Sequence, residues 1–188
     1  MIKDRIQEAI EIKTKILSDE TLIANIDAAA RLIITAYRKG GKTIFCGNGG
    51  SAADAQHLAA ELSGKFYLDR PPIAAEACHV NSSFITAYSN DFNFENAFAR
   101  YIESVGKTDD VLVAISTSGN SPNVVNALMK ARESKMTTIA LTGKTGGKMK
   151  DLADLLINVP SEDTPRIQES HILIGHIICE IVEAELFQ

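Results

Sequence analysis

The chain has 188 residues, 45% hydrophobic and 23% charged, which are globular values that exclude disorder and low complexity. Nineteen Lys and Arg against 24 Asp and Glu leave a net charge of −5, so no nucleic-acid partner is expected. No apolar run approaches the roughly 18 residues of a membrane span, and Met1-Ile2-Lys3-Asp4-Arg5 does not resemble a secretory leader, so no membrane partner is expected.

Residues 1–40 predict two helices. Ile2, Ile6 and Ile10 recur every four residues, and Leu17 returns to their face. Lys13 interrupts the stripe, and Ser18-Asp19 breaks the run. Leu22 to Tyr37 is rich in Ala and Ile and ends at Gly40-Gly41, a C-cap signal. Such a pair serves either as an oligomer arm or as a cover for the sheet, and both readings stay open. From residue 42 the pattern becomes strand, glycine-rich turn, helix. Lys42 to Cys46 reads as a strand, Gly47 to Ser51 as the turn and Ala52 to Leu62 as the helix. A short strand is expected at Ile73 to Ala75, and helices at Ser82 to Asn90 and Glu95 to Ser104. Asp110 to Ile115 is a continuous apolar run, the mark of a central parallel strand. A helix follows over Pro122 to Ser134, then strands at Thr137 to Leu141 and Leu155 to Val159, then a helix from Pro165 to Leu186. This alternation predicts an α/β fold, a doubly wound, mainly parallel sheet flanked by helices, with an N-terminal helix pair. Residues 1–188 read as one domain, a helical arm over 1–40 and an α/β core with its C-terminal helix over 41–188. Cys46, Cys78 and Cys179 are far apart and form no CxxC, which predicts reduced core thiols and a cytoplasmic protein.

Two loops at strand ends carry the polar chemistry. Ser116-Thr117-Ser118-Gly119-Asn120-Ser121-Pro122-Asn123 places four hydroxyls between a buried strand and a helix that opens on Pro122. Proline suits the first helical position, which puts Ser121 at the N-cap, where free N–H groups and the helix dipole favour an anion. One cap does not need four hydroxyls, so the loop reads as a phosphate site. Gly47-Asn48-Gly49-Gly50-Ser51-Ala52 matches G-x-G-x-x-A, but no acidic residue closes a second strand about 20 positions on. A sugar-binding loop therefore fits better than a dinucleotide loop. Gly143-Lys144-Thr145 lacks the first glycine of a P-loop, because position 138 is Thr138.

His57 and Glu61 lie four apart on the helix after the glycine loop, about 40° apart around its axis. They can share a metal, pair as base and acid, or make an ordinary surface contact. Gln168 and His176 on the last helix are eight apart, about 80° and about 12 Å, near the limit for convergence on one ion. Spacing alone makes them a core or interface feature. Asn90-Asp91 reads either as an Asx turn or as a contact for substrate hydroxyls.

The serine loop resembles the signature of the sugar isomerase (SIS) domain family. With Gly47 to His57, Glu61, Gln168 and His176, the whole chain is similar to the phosphoheptose isomerases of that family. These convert sedoheptulose 7-phosphate to a manno-heptose 7-phosphate. The resemblance implies a SIS-type sandwich and one zinc ion per site, held by His57, Glu61, Gln168 and His176. It implies phosphate binding by Ser116, Thr117, Ser118 and Ser121. The open-chain sugar would meet Asn48, Gly49, Gly50, Ser51, Asn90 and Asp91, with Glu61 and Gln168 also in reach. Glu61 would be the base and His176 the acid of an enediol mechanism. A homotetramer with sites at subunit boundaries is implied, and a product that feeds bacterial lipopolysaccharide. The other class left open is a catalytically silent SIS module that binds a phosphosugar or a partner protein.

Overall fold

Five apolar runs pair into one sheet in the computed structural model, which describes residues 1–188. The strands are β1 (Thr43–Gly47), β2 (Ala75–Ala77), β3 (Val111–Ser116), β4 (Thr137–Thr142) and β5 (Leu155–Asn158). All neighbours are parallel, in the order β2-β1-β3-β4-β5. Seven helices flank the sheet: α1 (Ile2–Leu17), α2 (Glu20–Arg38), α3 (Gly50–Ser63), α4 (Ser82–Asp91), α5 (Ala97–Val105), α6 (Pro122–Glu133) and α7 (Thr164–Phe187). Every residue of β1 and β3 is buried, because alternate side chains enter two different cores. Phe45, Val113, Ile115 and Leu141 pack with α1, α2, α3 and α7 on one face. Ile44, Cys46, Leu112 and Ala114 pack with α5 and α6 on the other. The three cysteines are buried and unpaired, as their spacing predicts.

Local signals fix the helix ends. The Asp19 carboxylate accepts the Leu22 N–H and caps α2. At its other end Gly40 takes φ +81°, and the Gly41 N–H returns to the Ala36 carbonyl at 2.9 Å, closing a Schellman turn.

Three expectations shift. The short strand falls at Ala75–Ala77 rather than 73–75, because the Ile73 N–H is taken by the Leu62 carbonyl at the end of α3. The helix expected from Glu95 begins as a 3₁₀ turn, Phe94–Asn96, capped by the Asn93 side chain, and becomes α-helical at Ala97. Helix α1 forms, but the stripe that predicts it faces outward. Ile2, Ile6, Ile10 and Leu17 are 52–75% exposed, while Ile12 and Ile16 are buried. Lys13, which interrupts that stripe, reaches Glu169 of α7 at 3.5 Å.

On α7, His171 is fully buried, and its Nε2–H donates to the Thr142 carbonyl at 3.1 Å. Its Nδ1 has no partner, and burial pushes the imidazole down to about 4. The folded protein therefore resists a proton that the unfolded chain accepts near pH 6.5. Stability carried by neutral His171 is fully present above that pH and is lost as pH falls towards 4, by about 3 kcal/mol in all. We expect the urea midpoint to drop between pH 7 and pH 5 by more in the wild type than in His171→Gln, which keeps a donor toward Thr142. Equal drops in the two proteins would count against this assignment.

Candidate active site

The order β2-β1-β3-β4-β5 reverses direction between β1 and β3, and open α/β sheets bind ligands outside the carboxyl ends at such a point. Both polar loops emerge there. From Gly47 the chain turns through Asn48 and Gly49, at φ +54°, into α3. From Ser116 it runs through the hydroxyl-rich loop into α6, with Pro122 opening the helix. A reciprocal amide pair joins the loops. Asn48 Nδ2 donates to Asn123 Oδ1 at 2.8 Å, and Asn123 Nδ2 returns to Asn48 Oδ1 at 2.9 Å. Asn123 is only 2% exposed, so this pair is a fixed spacer between the loops. Its residues lie 75 apart in sequence, which hides their contact from pattern reading.

Ser121 occupies the N-cap of α6, yet its hydroxyl caps nothing. It pairs instead with the Ser116 hydroxyl at 3.0 Å. Ser118 Oγ accepts the Asn120 N–H at 3.1 Å, which curls the loop. A polar cleft of about 250 Å³ adjoins it, lined by Thr117, Ser118, Asn120, Lys144 and Thr164 among others. Lys144 thus brings a cation beside a loop that has none, although its stretch is not a P-loop.

Helices α3 and α7 run side by side in the same direction. Gly50 lies against Gln168 and Gly175 against Leu58, at distances that leave no room for a β-carbon at either glycine. This register brings His57, Glu61 and His176 together. His57 Nε2 is 3.0 Å from Glu61 Oε1 and 3.3 Å from His176 Nε2, and the three donor atoms lie within 4.8 Å of one another. Tetrahedral zinc with ligand bonds near 2.0–2.2 Å needs donors about 3.3 Å apart. Two imidazoles and a carboxylate at this spacing form a group able to hold a metal ion with a coordination position left open. One turn before His57, Asp54 has a buried Oδ2 with no partner. Burial pushes its carboxyl up to about 6, opposed by the charge of His57.

The amide of Gln168 rests on Gly50 at the start of α3. Ser51 is buried in the first turn of α3. Asn90 and Asp91 close α4, where Asn90 Nδ2 donates to Asp91 Oδ1 at 3.0 Å, and no hydrogen bond links them to either loop or to the trio. No residue of α4 is buried.

A family model described as the SIS domain matches residues 6–143. The chain is 50% identical to a phosphoheptose isomerase of Sulfurimonas denitrificans over 186 residues, covering 99% of this chain and 95% of that one. It is 52% identical, with the same coverage, to a phosphoheptose isomerase of Clostridium acetobutylicum. The structure of phosphoheptose isomerase from Neisseria gonorrhoeae superposes with a TM-score of 0.91 at 41% identity, covering 97% of both chains. No helix is long and apolar enough to cross a membrane. Fold, loops and near full-length identity together place the chain in the SIS domain family, among its phosphoheptose isomerases.

Proposed function

We propose that this protein isomerises sedoheptulose 7-phosphate to D-glycero-D-manno-heptose 7-phosphate through an enediol, in the cytoplasm of a bacterium that builds heptose into lipopolysaccharide. The observation that carries this reading is the convergence of His57, Glu61 and His176 within 4.8 Å, which a phosphosugar-binding module has no need of. Residues 1–188 act as one SIS domain.

The chemistry divides between two ends of the substrate. Ser116, Thr117, Ser118 and Ser121 hold the phosphate, far from the reacting carbons, so its binding energy serves orientation. Asn48, Gly49, Gly50 and Ser51 receive the open-chain sugar. Glu61 removes the C1 proton of the ketose and returns it to C2. His176 protonates the C2 oxygen and accepts the proton of the C1 hydroxyl, which leaves the carbonyl at C1. Positioned acid and base of this kind contribute about 10²–10⁴-fold. His57, Glu61 and His176 would hold one zinc ion, which supplies Lewis-acid polarisation of the carbonyl. Gln168 is proposed as a sugar contact and as the fourth ligand.

A homotetramer completes the site. Helix α1 leaves Ile6, Ile10 and Leu17 along a groove of about 500 Å³ against α7, and α4 rests on the core through Phe84 and Ile85 while Ser82, Ser83, Thr86, Asn90 and Asp91 are exposed. Both are surfaces for other copies of this chain, and Asn90 and Asp91 would reach a neighbour's sugar from the end of α4.

Turnover of sedoheptulose 7-phosphate should vanish with a chelator and return with zinc; binding without turnover under any metal would leave only the silent-module reading. In Glu61→Gln protein that retains metal and phosphosugar binding, solvent deuterium should no longer enter C1 of the ketose. Exchange that persists there would transfer the base to His176.

Ser121→Ala removes a hydroxyl that caps nothing, so the fold should survive. A hydrogen bond to a charged group is worth about 1.5–3 kcal/mol, so KM should rise roughly tenfold or more. An unchanged KM would show that the loop holds something else.

The trio forms within one chain, so mixing Glu61→Gln with His176→Gln chains should not rebuild it. Mixing Glu61→Gln with Asp91→Ala chains should restore partial activity, because an intact trio then meets an intact α4 from its neighbour. Failure of that second mixture would place Asp91 outside the site.

A further inference from the structure

Residue 70 lies beyond α3, and its side chain turns back into the protein. Arg70 Nε donates to Glu183 Oε2 at 2.7 Å, and the two side chains are only 1% and 2% exposed. Glu183 lies on α7, seven residues beyond His176, about two turns along one helix. Arg70 Nη2 donates to the backbone carbonyl of Glu61 at 3.0 Å, and Nη1 to that of Leu62 at 3.0 Å. These are among the terminal carbonyls of α3 that no residue of the helix itself can satisfy. Glu183 in turn accepts the N–H groups of Phe66, Tyr67 and Leu68 at 2.7–2.9 Å. The ring of Phe66 then lies 5.7 Å from that of His176.

A buried ion pair is poor evidence for stability, because desolvation of both charges offsets most of their attraction. Apolar residues would join α3 to α7 as well. What they could not do is hold the carbonyl of one site residue and the loop that packs on another. The Arg fork supplies several donors in fixed directions, which a Lys ammonium does not. Burial raises the carboxyl of Glu183, but the Phe66, Leu68 and Tyr67 N–H groups and Arg70 bring it down to about 2, so the pair stays charged at neutral pH.

We infer that Arg70 and Glu183 are positioning residues for the isomerase site, a buried clamp that sets how closely Glu61 and His57 approach His176. The inference rests on the proposed metal-assisted reading of that trio. Neither residue touches substrate in this scheme. At the other end of the trio the contact of Leu58 with Gly175 fixes the helix spacing, and the clamp fixes it at the exit.

The test uses full-length Arg70→Lys, which keeps the charge and loses the fork, together with Glu183→Gln. Each is loaded with cobalt(II), whose visible spectrum reports ligand geometry, and is titrated with zinc against a chelator. Supporting partners of metal ligands are worth about 10–100-fold in affinity, and a loss in that range is expected, with an altered cobalt spectrum. With sedoheptulose 7-phosphate, kcat should fall at least tenfold while KM moves less than threefold, because the phosphate loop is untouched. A merely structural pair would lower the melting temperature and leave the spectrum, zinc affinity and kcat of the folded protein as in the wild type. That result overturns the inference. Failure of both variants to fold with excess zinc also overturns it, because the pair would then be a folding element. If the wild type itself binds zinc without isomerising the sugar, the proposed function fails while the metal-affinity comparison still decides the clamp.

Discussion

The close parallel contact of α3 with α7 is the constraint on which the rest of the site depends. Neither helix carries a metal group or an acid–base pair by itself beyond His57 and Glu61. The third donor arrives where the Gln168 side chain lies on Gly50 and the Leu58 side chain on Gly175. A β-carbon at Gly175 would stand 2.5 Å from Leu58 Cδ1, and one at Gly50 would stand 2.5 Å from the Gln168 amide nitrogen. Real β-carbons do not show such contacts, so a larger residue at either glycine makes the Leu58 or Gln168 side chain beside the trio move. Alanine at Gly175 would raise intrinsic helix propensity by about 1 kcal/mol and still be unfavourable here. Glycine in the middle of a helix is thus retained for approach rather than for flexibility.

A second fixed spacing sets the phosphate loop against the glycine loop. It comes from the Asn48–Asn123 pair at the point where strand order reverses. In the proposed scheme this separates the task of anchoring from the task of reacting. The serine loop grips an invariant phosphate with hydroxyls, and α3 carries the groups that act at the carbonyl. Hydroxyls suit the first task because they donate without placing a fixed charge in a buried strand end. The cation of Lys144 sits in the adjoining cleft instead, where solvent moderates it.

How much of this could be read in advance follows the range of each interaction. The alternation of strands and helices, the two loops and the capping residues are local, and the sequence states them directly. The three-residue strand at Ala75–Ala77 lies two residues later than the pattern places it, because the Ile73 N–H bonds back to the Leu62 carbonyl of α3. The apolar stripe of α1 announces a helix correctly but not its burial, because periodicity says that a face is covered and not by what. Arg70 and Glu183 are separated by 113 residues, and neither sits in a recognisable motif. The spacing of Gln168 and His176 argues for a core or interface feature, yet His176 joins the trio, because its partner donors come from a second helix alongside. The Gln168 amide lies against Gly50, part of the same contact between α3 and α7.

The exposure of the trio ties the chemistry to assembly. In one chain the His57 side chain is 48% exposed and that of Glu61 24%. An enediol survives only where stray water and stray protons are kept out, and charges act more strongly where solvent is excluded. A lone chain offers no such enclosure, since nothing of its own covers the outer side of His57. The apolar surfaces it leaves bare include the stripe of α1 and Phe92 beyond the end of α4, which are poor surfaces for water and good ones for another copy. In the proposed tetramer, burying those surfaces and closing the site become one event. In that proposal assembly serves enclosure rather than gathering, since each chain brings His57, Glu61 and His176 together by itself.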